Sequence, residues 1–350
     1  MTAPLAAPDV LRTRGLGAQQ NLVKAQLDRA QTELTTGRRL DLDEATGGDV
    51  SRVTAIDRSI AAIDSRLPLI GLARQRAEVT QDALEAVQGL AKDVGLNLVN
   101  DVTVGDVGTA VITAREARDR LEAMLGALNV TFAGRPLFGG AQADVLPMGG
   151  ADALIGFVRA ALDAYPDVDD ALLAVDDFFD PPDPLVRLTT YPGPETFDAD
   201  FFRGTVDAVS PPVELAPGER VDYAVRGDAA AIKNLLKNMA VTAATQGSAF
   251  FSDNTPERTA LFSAVGRRLI EGDDDMAVLR AELGLAQARI ERGETRAVAE
   301  RTTLGVARNE MTGIDDFETA TRVTELETRL QMLYEITARL SRLSFINFMR

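Results

Sequence analysis

The apolar positions at the two ends of the chain repeat with the period of a packed helix. Leu16, Val23 and Ala30 stand seven residues apart, and Leu27 and Leu34 form a second set offset by four from the first. This a/d alternation predicts a helix with one narrow apolar seam, in which Gln20 is the polar member. Gly37 then supplies a helix stop, with Arg38 and Arg39 beside the negative end of the helix dipole. At the other end Val323, Leu326, Leu330, Leu333, Ile336, Leu340 and Leu343 recur at spacings of three and four. Arg322, Glu325, Glu327, Arg329, Gln331 and Arg339 occupy the other faces. A helix from about Asp316 to Ser344 is then on the order of 40 Å long. Burying its seam contributes roughly 10–20 kcal/mol gross, before ordering entropy is subtracted. Such a helix needs a partner, and the N-terminal seam is the obvious one.

Helical periodicity continues inward from both ends. Ser51 to Asn100 reads as nearly continuous helix, with Asp49 or Ser51 as N-cap and Pro68 expected to kink or break it. Thr109 to Val130 forms another, with Val111, Ala114, Leu121, Leu125 and Leu128 among its apolar positions. On the C-terminal side the pattern predicts helices over Ala229–Ala244, Glu257–Glu271 and Met276–Met311. The run Asp273–Asp275 reads as a solvated helix start between the last two, since it lacks the glycine and glutamate of a calcium loop.

The middle, roughly Ala141 to Gly227, has a different character. It holds ten of the 15 prolines, nine of the 18 aromatic residues, and 17 acidic against five basic residues. Gly204–Ser210 and Arg220–Arg226 have the alternation of strands, and Pro211, Pro212, Pro217 and Gly218 between them suit a hairpin. Asp169, Asp170, Asp176, Asp177 and Asp180 read as a solvated acidic surface in preference to paired catalytic carboxylates. Gly47-Gly48, Gly139-Gly140 and Gly149-Gly150 begin no phosphate-binding or dinucleotide fingerprint and read as boundary turns.

Composition narrows the function classes. The formal net charge is −16, which disfavours nucleic acid and anionic membrane surfaces as partners. His and Cys are both absent, which removes Cys nucleophiles, His bases, Ser-His-Asp triads, disulfides and every His or Cys metal site. No cofactor, metal site or catalytic set is expected, so the chain does not read as an enzyme. Met1–Gly15 has no apolar run of signal-peptide length, and no 18-residue apolar stretch suggests a membrane span.

Three segments carry a resemblance. Leu34-Thr-Thr-Gly-Arg-Arg-Leu40 resembles the segment that follows the first helix of bacterial flagellins. Asn129-Val-Thr-Phe-Ala-Gly-Arg-Pro-Leu-Phe-Gly-Gly140 is similar to a stretch of the hook-associated proteins of the hook–filament junction, where it ends the N-terminal helical part. Thr319–Glu327, followed by Leu340-Ser-Arg-Leu-Ser-Phe-Ile-Asn-Phe-Met-Arg350, resembles the terminal helix and short apolar tail of the same proteins. The family's acidic patch after its Gly-Arg segment is only loosely matched by Asp41–Gly48. The resemblance covers about residues 12–140 and 228–350.

The resemblance implies a mainly α, flagellin-like elongated rod of paired N- and C-terminal helices with a small α+β insert. Its expected parts are a terminal coiled coil (1–45 with 315–350), a helical rod (46–140 with 228–314) and an acidic outer domain (141–227). It implies a hook–filament junction subunit of hook-associated protein 3 type, located outside the cell on the flagellum. Export would use the flagellar type III apparatus, without a cleaved signal peptide and with a chaperone on the C-terminal helix. The implied partners are further copies in a ring or helical array, other hook-associated proteins and flagellin. Terminal helices short of partners would become ordered on assembly. The expected assembly residues are Leu16, Val23, Leu27, Leu34, Val323, Leu326, Leu330, Leu333, Leu340, Leu343, Phe345, Ile346 and Phe348. Gly37, Arg38, Leu137, Phe138, Gly139 and Gly140 are the motif positions. The alternatives are a filament flagellin and, from another class, a cytosolic coiled-coil scaffold.

Overall fold

A computed structural model describes residues 7–41, 43, 49–142, 144–181, 196–205, 210–251 and 255–348. The side chains of 7–13, 107, 255 and 340–348 lie outside the description. The chain is mainly α, as its periodicity predicts, with two short antiparallel strand pairs among the described residues. It forms two compact units, Met1–Ser65 with Val298–Arg350, and Arg66–Ala297.

In the first unit, helix α1 (Ala7–Thr36) lies antiparallel to the C-terminal helix α8 (Asp316–Phe348). Their seam buries Val23, Leu27, Ala30, Leu326 and Leu333, with Leu16, Val323 and Leu330 half-buried beside them. Two long helices, α2 (Ser51–Val104) and α7 (Thr255–Thr312), also contribute to this unit, where Asp57 pairs with Arg308 and Asp64 with Arg301.

Helix α2 runs unbroken through Pro68, so the expected break does not occur. Proline removes one backbone donor, the one that would reach the carbonyl of Asp64. Both residues are exposed, so water can take that place, while Ile63 and Ile70 anchor the flanking turns. Helix α7 is likewise continuous, and Asp273–Asp275 sits inside it instead of starting a new helix.

The second unit adds α3 (Val107–Leu128), α4 (Ala151–Ala164), α5 (Val168–Phe179) and α6 (Ala230–Ala244). Asp106 caps α3, its carboxylate accepting from the backbone N–H of Thr109 at 3.0 Å and the Thr109 hydroxyl at 2.7 Å. Helix α6 is the centre of this unit and packs against α3, α4 and α5. Its Ile232, Leu235, Leu236, Met239 and Val241 are fully or almost fully buried, in a core shared with Leu84, Leu121, Leu154, Phe178 and Leu269. A first hairpin pairs β1 (Thr131–Phe132) with β2 (Arg135–Pro136). Its two turn residues, Ala133 at φ 51° and Gly134 at φ 77°, are both left-handed, as a tight hairpin of this twist requires.

The second hairpin differs from its expected position. Strand β3 (Val213–Ala216) pairs with β4 (Glu219–Val221) around Pro217 and Gly218 (φ 80°). The turn falls where proline presets the first corner and glycine supplies the left-handed second one. Alternation then lays Val213, Leu215 and Val221 onto Ile70, Ala73, Ala286 and Ile290. Gly204 and Thr205 are not strand, Arg220 and Val221 are, and 206–209 lie outside the described residues.

Two middle helices, α4 and α5, belong to segments whose acidity obscured their apolar face. Asp167 caps α5 through the backbone N–H groups of Asp169 and Asp170. Two of these acids are also paired: half-buried Asp176 with Lys237 at 2.8 Å and Arg268 at 3.2 Å, and Asp180, which stays exposed, with Lys233 at 2.5 Å. They neutralise two lysines that the burial of α6 would otherwise leave uncompensated.

Candidate assembly site

Gln20 lies in the α1–α8 seam, where an apolar member of the repeat would stand. Its Nε2 donates to the Thr337 hydroxyl at 2.8 Å and to the Leu333 carbonyl at 3.2 Å. A polar seam residue with a specific partner fixes register, because a shifted pairing leaves its amide unsatisfied.

The end of α1 is tied by backbone to the turn between α7 and α8. Gly37 adopts φ 68°, and its N–H donates to the Glu33 carbonyl at 2.8 Å, closing the helix in the left-handed manner that glycine permits. The chain then runs beside Thr312–Ile314: Arg39 N–H donates to the Thr312 carbonyl at 2.9 Å, and Arg38 bridges Gly313. Arg38 thus contributes through its backbone, and its side chain is exposed. Glu33 is buried and accepts from the Leu40 N–H at 2.9 Å and from Arg29 at 3.4 Å. Asp41 first, then Glu33, raise the Arg29 guanidinium above its ordinary pKa. A polar cleft of about 510 Å³ opens next to these turns, lined by Arg29, Glu33, Arg39, Asp315, Glu318 and Arg322. Within it Arg29 pairs with Glu33, and Arg322 with Glu318.

Eight of the expected assembly positions have described side chains. Seven of them meet in the seam: Leu16, Val23, Leu27, Val323, Leu326, Leu330 and Leu333. Leu34 does not, being 37% exposed. Leu340, Leu343, Phe345, Ile346 and Phe348 have side chains outside the described residues. Two helices cannot enclose the whole apolar surface that they carry. Ile336, which shares the C-terminal repeat, is 46% exposed, and Leu22, Met332, Tyr334 and Phe317 are more exposed still. Leu22, Met332 and Phe317 lie off the repeat, and the signal that sequence offers for them is an apolar residue on an otherwise polar face.

The second motif lies in the second unit and is buried. Leu137 and Phe138 are core residues, and Gly139 and Gly140 are enclosed. The backbone here gathers distant segments: Gly227 N–H donates to the Phe138 carbonyl at 2.9 Å, Thr205 N–H to that of Gly139 at 3.2 Å, and the Ser210 hydroxyl to that of Gly140 at 3.0 Å. Gly140 has φ 65°. Arg76 reaches the same place, donating to the Pro136 carbonyl at 3.3 Å and to the Ser210 hydroxyl at 3.2 Å, and burial lowers its pKa. The Asn129 amide pairs both ways with the Met148 backbone, at 3.2 and 2.9 Å. The motif therefore organises the fold. Among the described residues no group of acids could hold a metal ion, and no helix is long and apolar enough to cross a membrane.

Comparison with known families gives a match at the C-terminal end. Residues 272–349 match the family model described as the bacterial flagellin C-terminal helical region. The matched stretch holds the C-terminal part of α7 and all of the described α8, and it supports kinship with the bacterial flagellin superfamily. A search of curated proteins found no match.

Proposed function

We propose that this protein is a structural subunit of the bacterial flagellum, acting as adaptor at the hook–filament junction. The observation that carries the reading is the α1–α8 pair: a matched flagellin-type C-terminal helix, sealed to the N-terminal helix along one seam, leaving Leu34, Ile336, Met332 and Tyr334 exposed. Further copies and neighbouring flagellar proteins, flagellin and other hook-associated proteins among them, would cover that surface in a ring or helical array. The role is structural and extracellular. The chain reaches its place through the flagellar type III apparatus, with a chaperone shielding α8 beforehand.

Three features favour the junction over the filament itself. Asn129–Gly140 and the Leu340–Arg350 tail resemble the hook-associated proteins, and the middle of the chain is of modest length. The three-part division into coiled coil, rod and outer acidic domain belongs to the same proposal. The test is electron microscopy of cells lacking the gene, with the culture supernatant probed for flagellin. Hooks without filaments, and flagellin monomers in the medium, are expected. Normal filaments would remove the junction role and favour an auxiliary flagellin or a cytosolic scaffold.

A further inference from the structure

Helix α7 contains a stretch that its own sequence disfavours as helix. Gly272-Asp-Asp-Asp275 lies mid-helix, between the buried residues Leu269 and Met276. Glycine and aspartate are among the poorer interior helix residues, because glycine loses the most backbone freedom and aspartate competes for backbone donors. Read alone the four residues mark a boundary, yet the helix crosses them unbroken.

The support comes from α2. Lys92 Nζ lies 2.7 Å from Asp273 Oδ2, and Gln88 Nε2 donates to Asp273 Oδ1 at 2.7 Å and to the Asp273 backbone carbonyl at 3.1 Å. Arg280, two turns on along α7, holds Gln88 in place by donating to its Oε1 at 2.7 Å, and it pairs with Glu85 at 2.8 Å. One side of the weak stretch is thus clasped at both side chain and backbone. Beside it lies a polar cleft of about 180 Å³ lined by Asn234, Lys237, Arg268, Gly272 and Asp275, across which Asn234 Nδ2 makes one long hydrogen bond to Asp275 Oδ2 at 3.4 Å. Gly272 itself packs on Leu235, where a Cβ would come within 2.8 Å of Cδ2, so close packing accounts for the glycine but not for the three aspartates.

We propose that Gly272–Asp275 is a conditional joint in α7, kept helical by the Gln88–Lys92 clasp on Asp273. Lys92 is half exposed, so a neighbouring carboxylate can compete for it and release the joint. The device would let a long helix change its bend in response to a surface contact. It stands whether or not the flagellar reading does.

Hydrogen exchange on the full chain, resolved to peptides spanning 270–280 and 283–296, tests this. Lys92→Met should speed exchange in 270–280 about fivefold, the scale of one lost charge-assisted bond at a half-exposed site. The 283–296 peptide should be unchanged. Adding Asp274→Ala, an exposed change that improves helix propensity, should recover roughly threefold of that loss. Arg74→Met, which removes the Arg74–Glu294 pair elsewhere on the same two helices, should leave 270–280 unchanged. The joint is overturned by equal acceleration along all of α7, by no acceleration, or by Asp274→Ala failing to rescue.

Discussion

Gly95 and Gly266 face each other where α2 and α7 touch. A Cβ on Gly95 would stand 3.3 Å from the Gly266 carbonyl oxygen and 2.8 Å from the Leu269 Cβ. A Cβ on Gly266 would meet the Gly95 carbonyl oxygen at 3.3 Å and Val99 Cγ2 at 2.8 Å. Two helices come this close only where neither has a side chain. Gly95→Ala or Gly266→Ala should destabilise the second unit by about 1–2 kcal/mol, because forced separation outweighs the alanine's helix propensity. Urea denaturation followed by circular dichroism checks this, and a stabilised Gly95→Ala would show that the contact is loose.

The left-handed Gly37 makes a second, smaller prediction. Gly37→Ala should cost about 1 kcal/mol and Gly37→Asn less, since asparagine tolerates φ 68° better. The loss should appear as faster exchange of the Arg39 N–H, which the turn delivers to the Thr312 carbonyl.

Substitutions in the terminal pair should separate folding from assembly. Val23→Ala empties a buried seam position and should cost about 1–3 kcal/mol in the isolated chain. Leu34→Ser and Ile336→Ser act on partly exposed positions and should cost about 1 kcal/mol, leaving the isolated chain folded. Both serine variants should nevertheless incorporate poorly into flagella, measured as the ratio of assembled to exported protein. Normal incorporation of both would remove these positions from the interface.

Asp198 sets an acid-side dependence of stability. Burial pushes its carboxyl pKa up; Lys233, at 3.6 Å, pulls it down less strongly, and Asp228 and Asp180 add to the rise. Its Oδ1 is buried with no hydrogen-bond partner. The folded state then holds this proton more tightly than the unfolded chain, so the contribution is favourable at low pH and is lost as pH rises through the raised folded value. Asp49, Asp106 and Asp273 are shifted down and slope the opposite way, losing stability as pH falls. The difference between parent and Asp198→Asn isolates the one group. The variant should gain on the parent as pH rises from the unperturbed carboxylate range toward 7, in urea titrations at matched ionic strength. A constant difference across pH would contradict the shift.

The seam was legible in sequence because seven-residue spacing reports directly on which side chains share a helix face: Val23, Leu27 and Ala30 meet Leu326 and Leu333 as the repeat implies. Breaks were less legible, since Pro68 and Asp273 are local signals overridden by partners far along the chain. The hairpin was displaced because its position depends on the Pro217-Gly218 turn more than on β-branched content. Helices α4 and α5 carry a readable apolar face, Leu154, Ile155, Val158 and Leu162 in one and Leu172, Val175 and Phe179 in the other, but their surrounding aspartates dominated the composition. Pairing of Asp176 with Lys237 and Arg268 has no signature in a single sequence, because it depends on three separate helices meeting.

Immunogold electron microscopy of isolated flagella, with antibody raised against the purified chain, tests the assembly role most directly. Label confined to a short zone between hook and filament is the predicted result. Label along the whole filament would place the chain among the filament subunits, and flagella without label would contradict a structural role in the flagellum.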